Sequence, residues 1–177
     1  MTKPDRNTAI DAVDTLNDLM GDLVAATQVL QEYMQRYQDG SVNLNQMSAV
    51  QKMCLSHLIL ALSKQLEFWR RYQIIVPAKH RSELEELNDS LRRKGVLDLR
   101  NKVAAHIWDT KQRRPLRHSE IKERLEDLTG ASLGEFLRWV NNPKDNSYPT
   151  TVLSIIETLR DSLVAEHSIQ IQEVIER

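Results

Sequence analysis

From Val13 to Tyr37 the chain sets Val13, Leu16, Met20, Leu23, Thr27, Leu30, Met34 and Tyr37 at alternating spacings of three and four. The alternation runs for more than three heptads, and only an α-helix gathers such a set onto one face. A seam of that length has to be covered by other helices, which narrows the chain to a bundle. Asn7 or Thr8 can cap the start, and Gly40 can close the end. A second helix is expected from about Asn45 to Ile75. There Met47, Val50, Cys54, Leu58, Ala61, Phe68 and Tyr72 share one side, while Leu55, Ile59 and Leu66 widen the arc. So broad an arc implies neighbours on two sides, and Pro77 ends the helix.

The remaining chain reads as shorter pieces. Ser82-Glu83-Leu84-Glu85 has the form of a capping box that opens a third helix through Leu84, Leu87 and Leu91 to Gly95. A stretch from Val96 to Trp108 follows, either continuous with it or re-started. Asp109 to His118 reads as a basic loop, Ser119 as the cap of a helix to about Leu128, and Ser132 to Val140 as another short helix. Pro149 is expected to open a last long helix carrying Val152, Ile156, Leu159, Leu163 and later Ile171, Val174 and Ile175. With only 5 Gly and 5 Pro in 177 residues, and β-branched residues spread singly, the expected fold class is all-α. The expectation is an up-and-down bundle of about four long helices with short extra ones, in a single domain spanning 1–177. One cysteine, Cys54, excludes an internal disulfide and a Cys-based zinc site. No apolar run nears membrane-spanning length and the N-terminus lacks signal-peptide character, so a cytoplasmic protein without a membrane partner is expected.

The chemistry concentrates in LDLRNKVAAHIW, Leu97 to Trp108. With Arg100 at zero and about 100° per residue, Val96, Val103 and Ile107 fall within about 60° on one side, and Ala104 and Leu97 within about 60° on the other. Arg100 therefore sits on the apolar face, where an unpaired guanidinium is costly to desolvate. It needs an anion, a carbonyl cluster or a wet cleft. His106, at about −120°, lies on the shoulder of the same face and titrates near neutrality. Charge gathers here too: residues 91–118 carry nine Lys/Arg against Asp98 and Asp109, while the whole chain is −1. That is the pattern of a local polyanion site, or equally of a basic helix end and a solvated loop.

The RNKVAAH run resembles the signature of the HEPN superfamily (higher eukaryotes and prokaryotes nucleotide-binding), helical bundles with an Arg, four to six residues and a His near the end of a helix. Here five residues separate Arg100 from His106, Asn101 stands where a polar residue often follows the arginine, and the Ala-Ala-His ending resembles the abortive-infection-type branch. The resemblance implies a metal-independent endoribonuclease of toxin or phage-defence type, with RNA or nucleotide as partner and no cofactor. Catalysis would fall to Arg100, His106 and Asn101, and substrate binding to Lys102, Arg113 and Arg114. Two motif copies would face each other across a homodimer, and a cognate antitoxin or nucleotidyltransferase protein is an implied partner. Attack of an RNA 2′-hydroxyl on its own phosphate needs proton transfer, which an imidazole supplies, and a bidentate cation, which a guanidinium supplies.

Three alternatives stay open. Arg113 to His118 and Arg160 to His167 also fit the spacing. The first spans Pro115 in a loop; the second lies two turns apart on the last helix. The chain can instead be a non-catalytic nucleotide- or protein-binding module. Finally, Arg100 can pair within its own subunit with a carboxylate such as Asp14 or Glu67, leaving the motif match accidental.

Overall fold

A computed structural model of the chain describes residues 6–101, 108–109, 114–115, 118–130, 132–170 and 174, with backbone alone at 108–109, 114–115, 118–122 and 124. The architecture is an all-α helical bundle. Its helices are α1 (Arg6–Gln38), α2 (Leu44–Tyr72), α3 (Arg81–Arg93), α4 (Val96–Leu99), α5 (His118–Thr129), α6 (Leu133–Val140) and α7 (Val152–His167). Among the described residues the extended structure is a minimal antiparallel pair, β1 (Trp108–Asp109) with β2 (Arg114–Pro115).

The long seam of α1 is the spine of the core. Val13, Leu16, Leu23, Thr27 and Leu30 are buried, together with Leu19, and α1 packs against both α2 and α7. Leu16, Leu23 and Leu30 are entirely covered, and each such side chain contributes about 1.5–3 kcal/mol of burial. Thr27 fits the seam because its hydroxyl donates to the Leu23 carbonyl at 2.7 Å and accepts from the Asn141 amide at 3.0 Å. Gly40 closes the helix at φ 81°, a left-handed conformation that costs glycine nothing.

α2 has neighbours on two sides, α1 on one and α3 with α4 on another. Its start is fixed by Asn43, whose side-chain oxygen accepts from the Gln46 N–H at 3.0 Å while Gln46 Oε1 accepts from the Asn43 N–H at 2.9 Å. The helix ends at Tyr72 rather than Ile75, and a 3₁₀ turn over Ala78–His80 follows Pro77.

Four further expectations about element ends are corrected. Ser82 does not cap α3: the helix begins at Arg81, with His80 at the cap position and no side-chain cap bond. The 3₁₀ turn runs straight into the helix, so Ser82 already lies in its first turn. Pro149 does not open the last helix. It follows a cis Tyr148–Pro149 bond, and Thr151 is the cap, in a reciprocal pair with Ser154 at 3.0 and 3.1 Å. That helix stops at His167 with Ser168 left-handed at φ 50°, so Val174, though buried, is not part of it. α5 begins at His118, one residue before the expected cap. Finally, Gly95 at φ 66° separates α3 from α4, so the motif helix is re-started.

Candidate functional site

Arg100 follows α4 directly. It and Asn101 adopt a π-type turn, a widening that interrupts regular α-helical geometry and recurs at functional positions. The helix expected to run to Trp108 does not include that residue, which belongs to β1. Val96 and Leu99 are buried while Leu97 is 45 % exposed. At about 100° per residue the inward direction lies between Val96 and Leu99, roughly 70° from Arg100. Arg100 therefore stands on the shoulder of the buried face and not at its centre, and Asn101 is exposed.

The Arg100 guanidinium donates through Nη1 to Oε1 of Glu67, on α2. The carboxylate the sequence offers is thus found, but neither side chain is buried: 36 % of Arg100 and 51 % of Glu67 remain exposed. Ion pairs so exposed contribute about 0–1 kcal/mol, so the pair orients Arg100 without locking it. Of the other basic residues in this region, Arg92 pairs with Asp89 at 2.8 Å. Lys94 donates to the Leu128 carbonyl at 2.9 Å and lies 5.3 Å from the centroid of Trp139, which makes it a strut between helices. Arg93 is exposed. His106, Lys102 and Arg113 lie outside the described residues, and Arg114 is described through its backbone in β2.

The rival pair has a structural setting. Arg160 donates to Asn17 Oδ1 on α1 at 3.2 Å and pairs with Asp161 at 2.6 Å, tying α7 to α1. His167, at the end of α7, is half-buried.

Two further histidines are engaged. His57 meets Asp22 at 3.1 Å, and Lys64 meets the other oxygen of that carboxylate at 2.8 Å. Partial burial pushes the Asp22 carboxyl up, but Lys64 and His57 outweigh it and hold Asp22 below its ordinary 3.8. His80 is buried; its Nδ1 lies 3.2 Å from Tyr148 Oη and its Nε2 2.7 Å from Ser162 Oγ. Burial, then the Lys79 charge, hold His80 below the ordinary 6.5, with Glu83 pulling the other way. Residues 68 and 82 positions from His80 complete this group, and no local pattern in the sequence announces it.

A hydroxyl beside an imidazole is the geometry of an activated nucleophile. Ser162, however, lies inside α7, where backbone N–H groups are committed to the helix and cannot form an oxyanion hole. The arrangement joins the 3₁₀ turn, the connector and α7. An open cleft of about 550 Å³ beside it is lined by Lys79, Asp161, Ser162 and Glu166, a mixture of charges without a dominant sign. Among the described residues no group of three His, Cys, Asp or Glu side chains could hold a metal ion. Among the same residues no helix is long and apolar enough to cross a membrane.

The chain is similar in structure to the integron cassette protein Vpc_cass2 from the mobile metagenome of V. paracholerae. The TM-score is 0.71 at 22 % identity, over 88 % of this chain and 95 % of that one. At that identity the likeness carries the fold alone. No protein-family model matches the chain, and no curated protein matches it.

Proposed function

We propose that the chain is a metal-independent endoribonuclease of toxin or phage-defence type, resembling the HEPN superfamily, with Arg100 and His106 as its catalytic pair. The observation that carries the reading is the state of Arg100. It is a partly exposed guanidinium on a widened helical turn, oriented by one half-exposed carboxylate that a phosphate can replace. In the reaction the RNA 2′-oxygen forms a bond to the adjacent phosphorus and the bond to the 5′-oxygen breaks. One proton leaves the 2′-hydroxyl and one reaches the departing 5′-oxygen, leaving a 2′,3′-cyclic phosphate. Arg100 grips two phosphate oxygens as charge builds on the phosphorane, His106 moves protons, and Asn101 orients the phosphate. Lys102, Arg113 and Arg114 supply the cationic approach for the RNA strand.

One imidazole per chain serves one proton at a time, so the acid and the base come from two copies of the chain. The surface beside Arg100 suits a second copy. Met53, Leu60 and Ile74 are 60 %, 39 % and 68 % exposed. They sit at seven-residue spacing around Glu67, which occupies the missing position of the stripe. Leu97, on the adjacent α4, adds to the apolar area. A stripe repeating every seven residues is the form a helix presents to a helical partner.

The test is cleavage of single-stranded RNA in EDTA, with product ends analysed for the cyclic phosphate. Arg100→Ala and His106→Ala are each expected to lower the rate by about 100-fold or more, the loss typical of a transition-state charge contact. Glu67→Gln is expected to raise RNA affinity by freeing Arg100. Cleavage that persists in both alanine variants would overturn the assignment.

The Arg100–Glu67 pair also favours a second reading, a non-catalytic nucleotide- or protein-binding module, since the cation already has a partner within its own subunit. Intact RNA that nevertheless binds in an Arg100-dependent way is the outcome that selects it.

A further inference from the structure

A groove of about 490 Å³ lies between the last turns of α1, one face of α6 and the connector that follows it. Its α1 wall is Gln31, Met34, Gln35 and Gln38, four positions that share one side of the helix. Three of them are primary amides, and among the described residues no hydrogen bond ties their side chains. The α6 wall contributes Gly134, Leu137 and Arg138, and the connector contributes Pro143 and Lys144.

The charge is one-sided. Two cations and no carboxylate line the groove in a chain whose net charge is −1. Neither Arg138 nor Lys144 is in an ion pair among the described residues. Two acidic side chains nearby in sequence are engaged elsewhere: Glu32 pairs with Arg36 at 3.5 Å, and Asp145 accepts from the Ser147 hydroxyl at 2.7 Å. Nor are the cations needed to cap α1. Its terminal carbonyls already accept from the backbone, Gln35 from Asp39 at 3.0 Å and Arg36 from Ser41 at 2.8 Å. Among the described residues, two cations without an ion pair and a row of amides without a side-chain hydrogen bond are thus brought together beside the apolar surface of Met34 and Pro143.

We infer that this groove binds a nucleoside phosphate, at a site separate from Arg100. Arg138 and Lys144 take the phosphate, by the fork of one and the point charge of the other. The planar base rests on Met34 and Pro143, and the glutamine amides, each both donor and acceptor, read its edge. Gly134 keeps the groove open. A Cβ there meets only Arg138 Nη1 at 3.6 Å and Ser132 Oγ at 3.7 Å, so a larger side chain fits the backbone and fills the ligand's space.

The test titrates full-length protein with AMP, adenosine, inorganic phosphate and pentaadenylate, followed by calorimetry and by amide NMR of the groove residues. AMP is expected to saturate, to shift resonances of Gln35, Gly134 and Leu137, and to bind at least tenfold more tightly than phosphate or adenosine alone. Followed at the groove resonances in His106→Ala protein, where RNA stays intact, pentaadenylate tighter than AMP identifies an RNA strand as the source of the nucleotide; the reverse order identifies the free nucleotide. Gly134→Leu and the pair Arg138→Glu with Lys144→Glu are each expected to weaken AMP at least tenfold while the melting temperature holds. Absence of saturable binding, phosphate binding as well as AMP, or unchanged affinity in both groove variants overturns the proposal.

Discussion

Arg100 and His80 are two polar residues with opposite settings. Arg100 is partly exposed and paired with Glu67, so its interaction is exchangeable; His80 is buried between two hydroxyls, so its protonation state is set by the fold. With the folded pKa of His80 lowered below 6.5, the unfolded chain takes up its proton first as the pH falls. Stability from this residue is therefore complete above about pH 6.5 and declines as the pH drops from there toward the folded value, levelling off below it. Melting temperatures measured from pH 8 to pH 5 are expected to fall in the wild type and to fall less in His80→Gln, which keeps hydrogen-bonding capacity without titrating in this range. Equal slopes in the two proteins would remove His80 as the cause. Asp22 behaves in the same sense over a more acidic range: its folded pKa is also lowered, so the stability it adds is present above the ordinary carboxylate value and is lost as the pH falls below it.

How the helices start decides where these side chains stand, and this was the least legible layer of the sequence. The seam of α1 and the broad arc of α2 were readable because every turn repeats the same apolar instruction. A helix start is written by one residue, and Ser82 carried the right letters in the wrong place. Pro77 sets up the 3₁₀ turn that delivers the chain into α3 before Ser82 is reached. Thr151, by contrast, bonds the Ser154 N–H at 3.0 Å and gives its own proton to Asn146 Oδ1 at 2.6 Å. Thr151→Ala is thus expected to cost about 1–2 kcal/mol, and Ser82→Ala to stay within about 0.5 kcal/mol of the wild type, both read from denaturant unfolding. The restart at Gly95 was legible as one of two alternatives, whereas the π-type turn at Arg100 was invisible. Each is a single-residue departure from a pattern that otherwise continues, and it is the burial of Val96 and Leu99 with the exposure of Leu97 that puts Arg100 at the edge of the apolar face. The pairing with Glu67 was legible as an alternative because an arginine on a helix near an apolar face needs an anion. The His80 group was not, since its members come from three separate parts of the chain.

The bundle buries one contiguous apolar cluster, yet it leaves Met53 and Leu60 on α2, and Ile74 just past its end, in solvent. An isolated exposed leucine needs no explanation, whereas a seven-residue repeat running past Arg100 links the assembly of the protein to its proposed chemistry. If acid and base come from two chains, activity depends on this stripe even though none of its side chains touches RNA. Met53→Glu with Leu60→Glu places like charges on both copies at the contact, at positions whose exposure leaves the fold of each chain undisturbed. The wild type is expected to scatter light at twice the 20.5 kDa of one chain, and the double variant at that mass. EDTA-resistant RNA cleavage is expected to fall at least about tenfold with assembly, the equivalent of 1.4 kcal/mol or more in the rate-limiting barrier, while the melting temperature at low protein concentration stays the same. A wild type that is monomeric and still cleaves RNA through Arg100 would separate the two ideas. The composite site would be lost, and a second proton carrier would have to be sought within a single chain.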